Sequence, residues 1–145
     1  MLKQDVYGIM SSNPVFSLAT IDNGFPKVRG MLLFSADEKG IVFHTGATRD
    51  MYRQIRENPN VELCFIDNEQ MRQVRVSGTL EIVCGNEMKE IIAEHPSRGF
   101  VKEMRDSMNR QDFYDSFIVL RMQGGKAKIW TYENNLGPDL EVALD

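Results

Sequence analysis

The sequence predicts a mainly β fold: six or seven antiparallel strands closing into a full or partial barrel, with three or four short helices around it. Three observations carry that prediction. β-Branched and aromatic residues gather in runs of strand length, such as Val15–Ile21, Ile41–Phe43 and Phe117–Met122. Turn residues separate these runs closely enough that most neighbours pair as hairpins. Helical periodicity is confined to short stretches that suit the periphery of a barrel. At 145 residues the chain suits one domain spanning 1–145. A chain of this size buries roughly 68–70% of its unfolded surface and needs no staple.

Taken in order, residues 2–11 place Leu2, Val6, Ile9 and Met10 at near-helical spacing, weakened by Gly8 and stopped before Asn13-Pro14. Val15–Ile21 reads as a strand. Asp22-Asn23-Gly24 turns it back into a second strand, Lys27–Ser35. On that strand Lys27, Arg29, Met31 and Leu33 share one face, while Val28, Gly30, Leu32 and Phe34 share the other. Both faces are largely apolar from residue 28 onward, so Arg29 needs an anion or carbonyl partner. Gly30 removes a side chain in mid-strand, which often marks close approach of a ligand or another backbone.

Ile41–Phe43 is the next strand, Gly46-Ala47 breaks it, and Thr48 is placed to cap a helix on which Met51 and Ile55 share a face. A strand VELCFID follows Asn58-Pro59. Residues 72–83 read as one long strand, with Gln73, Arg75 and Ser77 opposite Val74 and Val76 and a bend or bulge at Gly78. Asn86 opens a helix over 87–94 whose Met88, Ile91 and Ile92 face inward. Ser97 opens another, carrying Phe100, Val101, Met104 and Met108 on its apolar side. Residues 117–122 and 127–132 form a closing hairpin across Gly124-Gly125, and the acidic tail after Asn134 is loosely held.

Composition narrows the function classes. A net charge of −4 and a pI near 5.2 lack the basic footprint of a general nucleic-acid binder. No apolar run approaches a membrane span. Cys64 and Cys84 lie in apolar runs without metal-like spacing, and no signal peptide stands at the start. Buried free thiols in a reducing cytoplasm are the expectation. Two histidines, His44 and His95, are too few for a histidine-rich metal site, and no nucleophile triad, Walker loop or GxGxxG is present. Neither a catalytic side chain nor a metal is nominated.

The chemistry concentrates where the 41–43 strand meets its helix. Thr45, Thr48 and Arg49 bring two hydroxyls and a guanidinium to a helix N-terminus, whose free amides suit a phosphate. An ordinary capped helix with a surface arginine explains the same residues, and Asp50 in the first turn can satisfy the dipole by itself. His44 suits either a ligand contact or a backbone-satisfied interior. Trp130 and the Phe100, Met104, Met108 stripe read as packing, and Arg53 and Arg56 as a solvated face. What exceeds packing is the set Arg29, Thr45, Thr48, Arg49, Gln73 and Arg75, donors without a catalytic acid or base. They suit an anionic, carbonyl-rich ligand such as flavin mononucleotide (FMN), whose ring carries the redox chemistry itself.

Three segments, PKVRGMLLF, GIVFHTGATRDMYRQIRENPNVELCF and RQVRVSG, resemble in order and spacing the FMN-binding split barrels related to pyridoxamine 5′-phosphate oxidase. The branch that includes nitroimidazole-reductase-like proteins is the most similar. The resemblance covers about residues 13–85. It implies a split barrel and a homodimer with two FMN sites at the subunit interface. Arg29, Gly30 and Met31 would contact the flavin ring, and His44 and Thr45 the ring and ribityl chain. Thr48 and Arg49 would hold the phosphate, and Gln73 would reach the flavin of the other subunit.

Departures from the vitamin-metabolising oxidases matter equally. Phe34 stands where they carry a substrate-phosphate lysine, Asp50 replaces a basic residue of their phosphate loop, and their C-terminal tryptophan and arginine signature lacks a counterpart. The expectation is an FMN-dependent oxidoreductase that passes electrons from a reduced nicotinamide, NADH or NADPH, to a small acceptor and does not oxidise pyridoxine phosphate. The alternatives are a flavin- or haem-binding storage or stress protein, and a barrel that has lost its cofactor and serves as an interaction module.

Overall fold

The computed structural model describes residues 1–145. Its strands are β1 (Val15–Asp22), β2 (Phe25–Leu32), β3 (Ser35–Asp37), β4 (Gly40–Gly46), β5 (Asn60–Asp67), β6 (Arg72–Thr79), β7 (Glu81–Ile82), β8 (Phe117–Met122), β9 (Lys126–Thr131) and β10 (Leu140–Ala143). Five helices accompany them: α1 (Lys3–Ser12), α2 (Asp50–Glu57), α3 (Glu87–Glu94), α4 (Gly99–Asp106) and α5 (Arg110–Ser116). The fold is mainly β, as the sequence predicts. The strand count rises to ten because three short strands, β3, β7 and β10, join the seven longer ones.

The strands form two antiparallel sheets, one ordered β10-β9-β6-β5-β1-β2 and the other β3-β4-β8-β7. Between them lies the main core, in which Phe16 stacks on Phe65 at 4.7 Å and meets Phe43 edge-on at 5.1 Å. A smaller cluster of Val42, Ile92, Ala93, Val101, Phe113, Phe117 and Val119 packs α3, α4 and α5 on the outside of the four-stranded sheet. The unbroken run Ile41-Val42-Phe43 follows from this arrangement: β4 is buried on both faces.

Several expectations are corrected. The first return strand starts at Phe25 and ends at Leu32; Pro26 is tolerated because β2 is an edge of its sheet. The 72–83 run divides at Leu80, where the chain leaves the six-stranded sheet for β7. Gly78 pairs in regular register with Val61, so it makes no bulge. A Cβ there would meet Met122 Sδ at 2.9 Å. β8 and β9 do not pair as a hairpin, since Gly124 and Gly125, at φ +70° and +103°, hand the chain from one sheet to the other. The tail is held by β10 against β9 and by the Tyr7 hydroxyl, which donates to the Leu144 carbonyl.

The helices bring further changes. α5 was not anticipated, although Asn109 caps it by accepting from the amides of Gln111 and Asp112. Ile91 is exposed; Ile92 and Ala93 carry the buried face of α3. Ser97 gives way to Arg98 as the residue before α4. Cys64 is half-buried and Cys84 exposed, both free thiols. No helix is long and apolar enough to cross a membrane.

Candidate functional site

A cleft of ≈ 1070 Å³ opens where β2, the end of β4 and the start of α2 meet the outer face of α4. Arg29, Gly30, Met31, His44, Thr45, Thr48 and Arg49 all line it. Of the residues singled out from the sequence, Gln73 is not among them. It lies on the outer face of the six-stranded sheet between Ile66 and Trp130. Arg75 occupies the same face, paired with Glu62 and Asp139.

The polar end of the cleft is built by local chain geometry. The backbone leaves β4 at Gly46, is tied down by the Ala47 amide donating to the Ser116 carbonyl, and enters α2 after Arg49. Arg49, not Thr48, is the cap residue, and no side chain caps the helix. The Tyr52 amide turns back to the Arg49 carbonyl at 3.1 Å, so the amides of Asp50 and Met51 are the ones left without an acceptor, while Arg49 and Lys27 enter no ion pair. Unspent amides, two threonine hydroxyls and two free cations form a donor set that fits a phosphate.

Arg29 is fixed differently. Its Nη1 donates to the Leu18 carbonyl at 3.1 Å and to Thr20 Oγ1 at 2.7 Å, and its Nη2 to Gln54 Oε1 at 2.8 Å. The carbonyl partner expected from its setting is thus supplied within the chain. Burial lowers its pKa from the ordinary value, while Asp50 opposes that shift. Gln54 itself is buried and also takes the Thr20 hydroxyl at 2.6 Å. Asp22, a second carboxylate at this end, is engaged by Arg53 at 3.1 Å. The sequence reading missed Thr20, Asp22 and Gln54, whose partners lie far along the chain.

The other end is apolar, and it overturns the packing assignment of the α4 stripe. Phe100, Met104 and Met108 are 55%, 41% and 37% exposed and line the cleft, with Phe117 beside them. The adjoining side of α4 supplies the buried contacts through Val101, which packs at the floor of the cleft, and Arg105, gripped by Glu90 at 2.7 Å and Glu94 at 2.5 Å.

His44 stands between the two ends. Its ring lies 4.9 Å from that of Phe117, and its Nε2 accepts from Arg98 Nε at 3.0 Å. Burial, helped by the Arg98 charge, pushes its pKa down to about 4. Arg98 was not foreseen. It sits in a single 3-10 turn, Pro96–Arg98, and is almost wholly buried.

Comparison with known proteins extends this picture. The family model for pyridoxamine 5′-phosphate oxidase matches residues 2–115. A pyridoxine/pyridoxamine 5′-phosphate oxidase of Burkholderia mallei is 40% identical over 81 residues, 55% of this chain and 38% of that protein. The chain thus aligns with well under half the length of such relatives. Among solved structures, a NimC/NimA family protein from Clostridium acetobutylicum superposes with a TM-score of 0.73. The two are 20% identical, covering 97% of this chain and 91% of that one. A pyridoxamine 5′-phosphate oxidase-related, FMN-binding protein from Nostoc punctiforme gives 0.70 at 16% identity, covering 96% and 87%. At such identities the shared feature is the split-barrel fold.

Proposed function

The chain belongs to the pyridoxamine 5′-phosphate oxidase family, and from that premise we propose that it is an FMN-binding oxidoreductase acting between a reduced nicotinamide and a small acceptor. The observation that carries this reading is the cleft's division into an end of unpaired hydrogen-bond donors and an apolar end lined by Phe100, Met104, Met108 and Phe117. Lys27, Thr48, Arg49 and the free Asp50 and Met51 amides of α2 would hold the phosphate. Arg29, Gly30, Met31, His44 and Thr45 would border the ring and its ribityl chain. When bound, FMN supplies hydride and electron transfer, so the protein binds, orients and excludes water without a general acid or base.

The same reading supports a homodimer. β2 borders the cleft on one side and, on the outer sheet face, presents Val28 at 71% exposure opposite Ala19 of β1, whose Val15, farther along the same face, is 72% exposed. The apolar strip of this face along the β2 edge suits a second copy of the chain, and Gln73, farther across the same face, would reach the partner's cofactor. Pyridoxine phosphate is not the proposed substrate. Phe34 packs edge-on to His95 and lies under the Arg98 guanidinium, 5.4 Å from its ring centre, so an aromatic ring fills that position.

The test is spectroscopic. Purified protein should carry flavin absorbance, released on denaturation and identified as FMN. That absorbance should bleach with NADH or NADPH and return with an added acceptor. Colourless protein that takes up no FMN in titration would refute the reading. Flavin that no nicotinamide reduces would leave a storage role in place of turnover.

A further inference from the structure

Arg98 is 3% exposed, yet no carboxylate pairs with it. Its Nη2 donates to the Leu33 carbonyl at 2.7 Å, its Nη1 to Ser97, and its Nε to His44 Nε2, with the Phe34 and Phe100 ring centres 5.4 and 6.0 Å from the guanidinium carbon. A guanidinium has five donors and nothing that accepts. The nitrogen of His44 that faces it must therefore offer a lone pair. A neutral imidazole with a bare Nε2 carries its proton on Nδ1. No protein group bonds that Nδ1, and His44 lines the cleft.

We propose that Arg98 is a positioning residue: by donating Nε–H to His44 Nε2 it confines the imidazole to the Nδ1–H form, so His44 meets the cleft's occupant as a fixed hydrogen-bond donor and not as an acid. The chemistry recognised is an acceptor atom, a carbonyl oxygen or an unprotonated ring nitrogen. The identity of the occupant rests on the flavin reading above; the tautomer does not. The groups around His44 are Arg98 from the 3-10 turn, Phe100 from α4 and Phe117 from β8, and Arg98 is the charge whose field reaches the ring.

The experiment is long-range 15N correlation of the histidine rings in the full chain, between pH 5 and 8, before and after addition of FMN. Free wild-type protein should show His44 Nε2 as a bare, pyridine-type nitrogen and Nδ1 as protonated, unchanged across the range. A protonated Nε2, or a titration near the ordinary histidine value of about 6.5, would overturn the proposal. In Arg98→Met the ring should regain mixed tautomers, while burial, the larger cause of its lowered pKa, still keeps it from titrating as an ordinary histidine; a tautomer identical to that of wild type would also overturn it. Should Arg98→Met fail to fold, the wild-type spectra and a second variant still decide. His44→Phe, which keeps a flat ring without the donor, should weaken FMN roughly 2- to 10-fold. Unchanged affinity would remove the donor role. If wild-type protein binds no FMN, the flavin reading falls, while the spectra of the free protein still decide the tautomer.

Discussion

Replacing Arg49 by alanine isolates the phosphate contact from every other function of the cleft. The side chain is exposed, enters no ion pair within the chain, and stands at the cap of α2 without capping it. Its removal should therefore change folding stability by no more than about 0.5 kcal/mol. A charge-assisted hydrogen bond to a phosphate contributes about 1.5–3 kcal/mol, which at ~1.4 kcal/mol per decade is roughly a 10- to 150-fold loss of FMN affinity. Riboflavin supplies the control, because it shares the ring and ribityl chain and lacks the phosphate. Titrations followed by flavin fluorescence should show FMN weakened and riboflavin unchanged, with the FMN deficit shrinking as salt screens the remaining charges. Equal losses for both ligands, or none for either, would mean that the anion lies elsewhere.

Four further variants test other parts of the structure. Val101→Ala should destabilise the protein by about 2 kcal/mol in urea unfolding, because two methyl groups leave a wholly buried site. Met104→Ala, three residues on but facing the cleft, should cost about 0.5 kcal/mol or less. Gly40→Ala should lower stability by about 2 kcal/mol or more, since φ is +126° and a Cβ would lie 2.8 Å from the Met122 carbonyl oxygen. The Asp67 carboxyl is held below its ordinary value by the Arg72 guanidinium and then by the Gln70 amide. The stability it lends is complete above its unfolded pKa of about 4 and lost as pH falls through the lower folded value. Asp67→Asn should accordingly be less stable than wild type at pH 7 and approach it in acid, as read from urea midpoints at the two ends of that range.

The strands were legible one at a time because local pattern determines them; their partners were not. β8 and β9 are separated by few residues, which reads as a hairpin. A second signal pointed the other way. In β8 Phe117, Ile118, Val119 and Leu120 are consecutive and all buried, as in a strand covered on both faces. In β9 Ala127 and Ile129 alternate with the exposed or half-exposed Lys126, Lys128 and Trp130, as in a strand with one open face. Two strands of such different character belong in different sheets. Glycines that close a turn and glycines that hand a chain across a core look the same until the Met122 packing around Gly78 and Gly125 is seen.

The cleft divides along the same line between local and distant. Thr45, Thr48 and Arg49 fall within a few residues of one another, so their convergence at a helix start could be read directly, and β2 added Arg29 through its alternation. Thr20 and Gln54, 34 residues apart, meet only through tertiary packing, and with Arg29 they turn a free cation into a fixed wall. The α4 stripe was ambiguous in principle, because residues spaced i, i+4, i+8 face either a core or a cavity. Arg105 resolves it. A guanidinium gripped by Glu90, Glu94 and Asp106 faces α3, which turns Phe100 and Met104 onto the cleft, where Met108, just past the end of α4, joins them. The ion pairs on one side of this helix thereby determine the apolar character of the site on the other, and a charge on α3 becomes a determinant of what the cleft admits.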